Sequence, residues 1–191
     1  MKGRLALGAL LAVSLGGALG AGRLEAGEGA PQEAPDGLVA MTIRDVKLDL
    51  ATHSPLVILE SAQKDRALII VIGHSEAIAI LRRLREAEPL PRPMTHDLLG
   101  RVISRLGGTL RRIVITRLEG GTFYGELVVQ RGQTTLRIDS RPSDAMALAL
   151  RMDAGIFVAQ SVLEEAGVEP GELPDIKEPE EKPPVDPDKA I

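Results

Sequence analysis

Apolar and polar positions along the middle of the chain change period several times, and each change marks an element. Leu38 to Ala51 alternates loosely, the two-residue period of a strand with one buried face. Pro55 to Ser61 predicts a second strand, closed by Gln63-Lys64-Asp65. Ala67 to Ile72 is continuously apolar and predicts a strand buried on both faces, ended by Gly73. Ser75 or His74 is placed to cap a helix running to about Ala87, with Glu76 in the first turn, where the helix dipole favours a carboxylate. Pro89, Pro91 and Pro93 interrupt any regular element and hold Arg92 between two of them. Thr95 is expected to cap a second helix that buries Leu98, Leu99, Val102, Ile103 and Leu106, stopped by Gly107-Gly108.

Beyond that point the period returns to two. Leu110 to Leu118 is rich in β-branched residues, Glu119-Gly120-Gly121 predicts a tight turn, and Thr122 to Gln130 the returning strand. Thr134 to Asp139 predicts another strand, with Leu136 and Ile138 on one face and Arg137 and Asp139 on the other. Ser143 to Met152 follows as a helix, Ile156 to Ala159 as a short strand and Ser161 to Ala166 as a last helix. Hairpin-joined strands and strand–helix–strand crossings together predict the α+β class, with a single mixed β-sheet flanked by helices.

The ends read differently. Lys2 and Arg4 precede an apolar run from Leu5 to Leu19, followed by the small residues Gly20-Ala21-Gly22, which are the parts of a secretory signal peptide over 1–22. The run is short and Gly-rich for a membrane span. The expectation is an exported protein, periplasmic or secreted, with no stable membrane span once the leader is cleaved; the alternative is a membrane anchor formed by an uncleaved N-terminus. Residues 23–37 read as linker, 38–167 as the domain and 168–191 as a disordered, acidic, Pro-rich tail.

Charge refines this division. The net charge of −4 is uneven: from Val168 onward eight acids face three bases, which leaves +1 for the rest. From Arg82 to Arg117 nine arginines face three acids, and arginine is the side chain that forks onto phosphate. A solvated helix or strand face explains such a run equally well. The absence of cysteine excludes disulfides, thiolate catalysis and cysteine zinc sites, and leaves carboxylate, His and carbonyl ligands, which favour Mg²⁺, Ca²⁺ or Mn²⁺. Aromatics at 2%, with no Trp, argue against the usual base-stacking platforms.

Three polar corners carry the candidate chemistry: Gly73-His74-Ser75-Glu76, Met94-Thr95-His96-Asp97 and Ile138-Asp139-Ser140-Arg141-Pro142-Ser143-Asp144. Each places polar side chains beside the free N–H groups of a helix start. Acids in a first turn stabilise a helix by about 0.3–1 kcal/mol without any chemistry. Gathered at one rim, however, Glu76, Asp97, Asp139 and Asp144 would hold Mg²⁺ or Mn²⁺, which polarises a phosphodiester and activates water. His96 would shuttle a proton, imidazole being the side chain that titrates nearest neutrality. No metalloprotease, nucleophile-elbow, phosphate-loop or dinucleotide motif is present.

Four stretches, Ile72-Gly73-His74-Ser75-Glu76-Ala77, Pro91-Arg92-Pro93-Met94-Thr95-His96-Asp97-Leu98-Leu99, Gly121-Thr122-Phe123-Tyr124 and Ile138-Asp139-Ser140-Arg141-Pro142-Ser143-Asp144-Ala145, resemble the bifunctional nuclease domain family in order and spacing, over about Met41 to Gly167. Met94 stands where the family more often has Leu, a volume-conserving change. The resemblance implies an α+β domain that self-associates and, for some members, metal-dependent cleavage of DNA and RNA without marked sequence preference. It implies catalytic roles for Glu76, His96, Asp97, Asp139 and Asp144, substrate contacts from Arg92, Ser140, Arg141 and Ser143, and a cation held by Asp139, Asp144 and Glu76. Nucleic acid is then the expected partner. The alternative is a non-catalytic oligomeric interaction or ligand-binding module in which the polar turns are structural, with Arg141 bridging Asp139 and Asp144 and the hydroxyls capping the helix.

Overall fold

The computed structural model describes residues 37–49 and 52–173. The leader-like segment, the linker up to residue 36 and the acidic run from residue 174 lie outside the described residues. In chain order the elements are β1 (Leu38–Asp49), β2 (Ser54–Ser61), β3 (Ala67–Val71), α1 (His74–Leu84), α2 (Thr95–Arg105), β4 (Gly108–Glu119), β5 (Thr122–Arg131), β6 (Thr134–Ser140), α3 (Pro142–Met152), β7 (Gly155–Ala159) and α4 (Gln160–Ala166). The strands form one seven-stranded sheet in the order β3-β2-β1-β7-β4-β5-β6. Every neighbouring pair is antiparallel except β4 and β7, so the sheet is mixed and the class is α+β, as the alternating periods predicted.

Local chemistry fixes the hairpins. β4 and β5 are joined by Gly120-Gly121, both with positive φ (56° and 77°), the conformation that a two-residue turn matching strand twist requires at both positions. The main core lies between the sheet and the helices. It takes Leu59, Leu68 and Ile70 from β2 and β3, Ile113, Ile115 and Leu127 from β4 and β5, Ile80 from α1, and the run Ala145 to Ala149 from α3. A smaller cluster of Val114, Val128 and Phe157 lies on the other sheet face.

Several sequence expectations are corrected. β3 is an edge strand rather than one buried on both faces: Leu68 and Ile70 join the core, but Val71 on the other face is 67% exposed. Neither Ser75 nor His74 caps α1, whose N-cap is Gly73, and α1 ends at Leu84, short of Ala87. Thr95 is the first residue of α2 and not its cap. The N-cap is Met94, whose N–H donates to the Asp97 carboxylate at 2.8 Å. The apolar face of α2 is largely outward, with Leu98, Leu99, Val102 and Leu106 exposed. α2 instead approaches α3 through Gly100, where an added Cβ would already lie 3.5 Å from Met152 and 3.6 Å from Leu148. A Cβ would fit there in ordinary contact, but a longer side chain would have to displace Met152 or Leu148, so it is the Gly100 side of α2, and not the leucine row, that packs against α3. Finally, the tail expected from Val168 begins inside the fold. Val168 and Ala67 exchange backbone hydrogen bonds of 2.8 and 2.9 Å, and Pro170–Glu172 forms one 3₁₀ turn. That bridge satisfies part of the free edge of β3. Among the described residues no helix is long and apolar enough to cross a membrane.

Candidate active site

The three polar corners meet because α3 packs against both α1 and α2. β3 runs through Gly73 into α1, and β6 runs through Ser140-Arg141 into α3. At the meeting point four side chains form a line. His96 Nε2 lies 3.0 Å from Asp144 Oδ1. Arg141 Nε donates to Asp144 Oδ2 at 2.7 Å, and Arg141 Nη2 donates to Glu76 Oε1 at 2.6 Å. His96 is buried and Glu76 nearly so, whereas the Arg141 side chain is 65% exposed and lies over both carboxylates.

Two glycines make room for this line. At Gly73 an added Cβ would lie 2.2 Å from Glu76 Oε2, so the bare backbone lets Glu76 fold back to reach Arg141. At Gly125 in β5 it would lie 3.1 Å from the Ser140 carbonyl oxygen and 3.4 Å from Pro142, which lets β5 pass close beneath the turn that carries Arg141.

Burial by itself would raise the Asp144 carboxyl. Hydrogen bonds from Arg141 and His96 outweigh it and hold the group below the usual carboxylate range. Asp144 is therefore an anion near neutral pH. It accepts, His96 Nε2–H donates, and in neutral His96 the lone pair is left on Nδ1. Arg141 is driven further toward its charged form by Asp144 and then by Glu76.

Asp97 is adjacent to His96 but serves a second junction. Its carboxylate accepts from Arg151 Nε, and Arg151 Nη1 also donates to the carbonyls of Ala147 at 2.7 Å and Ala79 at 3.2 Å. One guanidinium thus ties α1, α2 and α3 together. Burial raises the Asp97 carboxyl, and the bonds from Arg151 and from the Met94 N–H more than reverse that, so it too lies low.

The expected gathering of four acids does not occur. Asp139 is paired with Glu126 across β5 and β6, on the sheet face turned away from α3, where Glu126 forms an ion pair with Arg137. Arg141 bridges Asp144 and Glu76, not Asp139 and Asp144. Among the described residues no group of three or more His, Asp or Glu side chains is placed to hold a metal ion. Asp139, Asp144 and Glu76 therefore do not fit Mg²⁺ or Mn²⁺ as one site: two of the carboxylates are taken by Arg141 and the third faces elsewhere. Ser143 is buried in the first turn of α3, Ser140 Oγ donates to the Arg141 carbonyl at 3.1 Å, and neither hydroxyl caps the helix. Arg92 lies apart, on the wall of a cavity beside α2. Arg151 is the residue that sequence reasoning missed. A basic residue in the last turn of a helix reads as a partner of the helix dipole, and nothing local announces a contact to Asp97.

The family model described as a bifunctional nuclease domain matches residues 57–171, a span that holds the whole His96–Asp144–Arg141–Glu76 line. Over 123 residues the chain is 40% identical to an uncharacterized protein of Mycobacterium tuberculosis, covering 64% of this chain and 73% of that one. It is 26% identical over 117 residues to a protein named Bifunctional nuclease 1 from Oryza sativa, covering 60% of this chain and 35% of the rice protein. Matched over more than half its length, with Glu76, His96, Arg141 and Asp144 inside the match, the chain belongs to the bifunctional nuclease domain family.

Proposed function

We propose that the chain is a nuclease that hydrolyses phosphodiester bonds of both DNA and RNA with little sequence preference, and that the line from His96 to Glu76 is its catalytic centre. The observation that carries this reading is the pairing of a buried His with an ionised Asp beside an exposed Arg, at the convergence of three helix starts. Asp144 fixes the His96 tautomer, so that Nδ1 can take a proton from water. The water oxygen attacks phosphorus, its proton passes to His96, and the bond to the leaving oxygen breaks as that oxygen gains a proton from solvent. Arg141 offers charged N–H donors to the non-bridging oxygens, where negative charge grows in the transition state. Holding phosphate and not base edges carries no sequence information, which agrees with little sequence preference. Mg²⁺ or Mn²⁺ enters as an added component to be tested, with no step assigned to it. The leader-like start supports export, which makes the substrate nucleic acid outside the cytoplasm.

The experiment incubates the purified chain with single-stranded RNA and with plasmid DNA, in Mg²⁺, in Mn²⁺ and in chelator, beside folded Asp144→Asn and His96→Gln variants. Loss of a general base lowers the rate by about 10²–10⁴. Cleavage at the parental rate in both variants would remove the site from this line.

A second reading has its own support. Arg141 already pairs with both carboxylates, and α2 presents Leu98, Val102 and Leu106 outward on one side. On that reading the corners are a structural lock and copies of the chain associate through α2. A parent inactive under every condition, together with a light-scattering mass that falls to the monomer in Val102→Glu, would favour it.

A further inference from the structure

None of the nine arginines from Arg82 to Arg117 belongs to the catalytic line. A cavity of about 880 Å³ opens beside α2, near the C-terminal ends of α1 and α3. Six arginines line it, Arg82, Arg83, Arg92, Arg101, Arg105 and Arg151, against three carboxylates. Arg82 and Arg83 donate to the backbone carbonyls of Glu88 at 2.7 Å and Leu150 at 2.9 Å, bonds that aim a guanidinium without neutralising it. Arg151 is paired with Asp97. Arg92, Arg101 and Arg105 make no hydrogen bond or ion pair among the described residues, although Arg101 is near enough to Asp97 to help lower its carboxyl.

Helix dipoles account for Arg82, Arg83, Arg105 and Arg151, each in the last turn of its helix. They do not account for Arg101 in mid-helix, nor for Arg92, fixed between Pro91 and Pro93. Arg101 and Arg105 stand one helical turn apart on the cavity side of α2, a spacing comparable to the step between successive phosphates of a nucleic-acid strand. The remaining wall carries the carboxylates of Glu88, Asp97 and Asp153, which leaves the arginines in excess by three, and it holds no aromatic ring, so it suits a backbone-gripping site better than a base-stacking one.

We propose that this cavity is a phosphate-backbone site for single-stranded nucleic acid. The inference rests on the nuclease reading and names the form of its substrate. A duplex carries its phosphates on a broad convex surface that a cavity of this size cannot enclose, whereas one strand can enter. The cavity also communicates with the catalytic line through two consecutive residues of α2: His96 meets Asp144, and Asp97 meets Arg151 on the cavity wall.

The test measures anisotropy of a short labelled single strand, RNA or DNA, bound by the full chain in chelator across a salt series. Loss of two phosphate contacts in the Arg101→Gln, Arg105→Gln variant should reduce the salt slope by about 1.4 and weaken binding about 25-fold near 0.1 M salt. The Arg101→Lys, Arg105→Lys variant keeps both charges and should retain most of the slope. A charge-matched control on the β1–β2 half, Lys47→Gln with Lys64→Gln, should bind like the parent. Failure of the parent to bind the strand, parental affinity in the double Gln variant, equal affinity for a duplex of the same length, or displacement by tripolyphosphate at equal phosphate concentration would each overturn the proposal. Binding without cleavage would defeat the catalytic reading and leave this one standing. Cleavage with unaltered binding in the Gln variant would do the reverse.

Discussion

Arg151→Met is the most direct test of how the helices that carry the candidate site are held in register. The Arg151 side chain is 10% exposed, and Met replaces most of its buried stem, so packing largely survives. What disappears is one charge-assisted bond to Asp97 and the added bonds to the carbonyls of Ala79 and Ala147, which lie inside helices and keep their own backbone partners. The loss therefore concentrates on Asp97. A hydrogen bond to a charged group contributes about 1.5–3 kcal/mol, and stranding a fully buried charge costs about 3–5 kcal/mol. The Asp97 side chain is 34% exposed and keeps the Met94 N–H, so solvent screening moves the expectation down, to about 2 kcal/mol. In thermal unfolding of the full chain this is a fall of about 4–8 °C in Tm. Asp97→Asn should cost about 1 kcal/mol alone, and the double variant should fall short of the sum by about 1 kcal/mol or more. Additivity within about 0.5 kcal/mol would refute the idea that this pair couples the helices. If the coupling is real, Arg151→Met also loosens α2 against α3, and any cleavage that depends on the 3.0 Å contact between His96 and Asp144 falls with it.

Two further outcomes follow from the same geometry. Gly73→Ala restricts the unfolded chain but puts a poorer N-cap on α1, two effects of about the same size and opposite sign. Here the new Cβ collides with Glu76 Oε2 and drives it from Arg141, so a lower Tm is expected, and a higher one would sink the steric argument. Asp97 and Asp144 both have folded pKa values below their ordinary one, so the stability they contribute is present above about pH 3.9 and is lost as pH falls through their lower folded values. Urea melts of the Asp97→Asn, Asp144→Asn double variant should show a deficit at pH 6 that shrinks progressively as pH falls below about 3.9. A deficit of constant size across that range would mean that the carboxylates contribute by shape and not by charge.

Periodicity revealed the elements well where the signal was local. Gly120-Gly121 announces a tight hairpin because only glycine takes positive φ at both positions at no steric cost, and the turn is found there. The polar corners were legible as helix starts, and Glu76, His96, Arg141 and Asp144 do come together. Asp139 shows where that reasoning stops. Alternation correctly places it with Arg137, but which sheet face the helices cover depends on the register with β5 and on the packing of α3, neither of which is encoded nearby. α2 fails in the same manner: the 3.6 period of Leu98, Val102 and Leu106 is real, yet the side that carries Gly100 packs on α3 and that row faces outward. Strand order was not legible either, since a five-residue apolar strand such as β7 names no partner.

The place of β7 has a consequence for how the molecule is made. It pairs antiparallel with β1, joining Leu38 to Ala159, and parallel with β4, joining Arg112 to Gly155. A nascent chain emerging from the ribosome can form the β1–β3 meander and the β4–β6 meander as each is synthesised, but β1 and β4 remain open edges until residues 155–159 appear. Such distant pairing predicts slow closure and a vulnerable interval in which two unpaired edges are free to find the wrong strand. A chain released before Gly155 would not be a smaller version of the domain. It would be two half-sheets without the strand that makes them one.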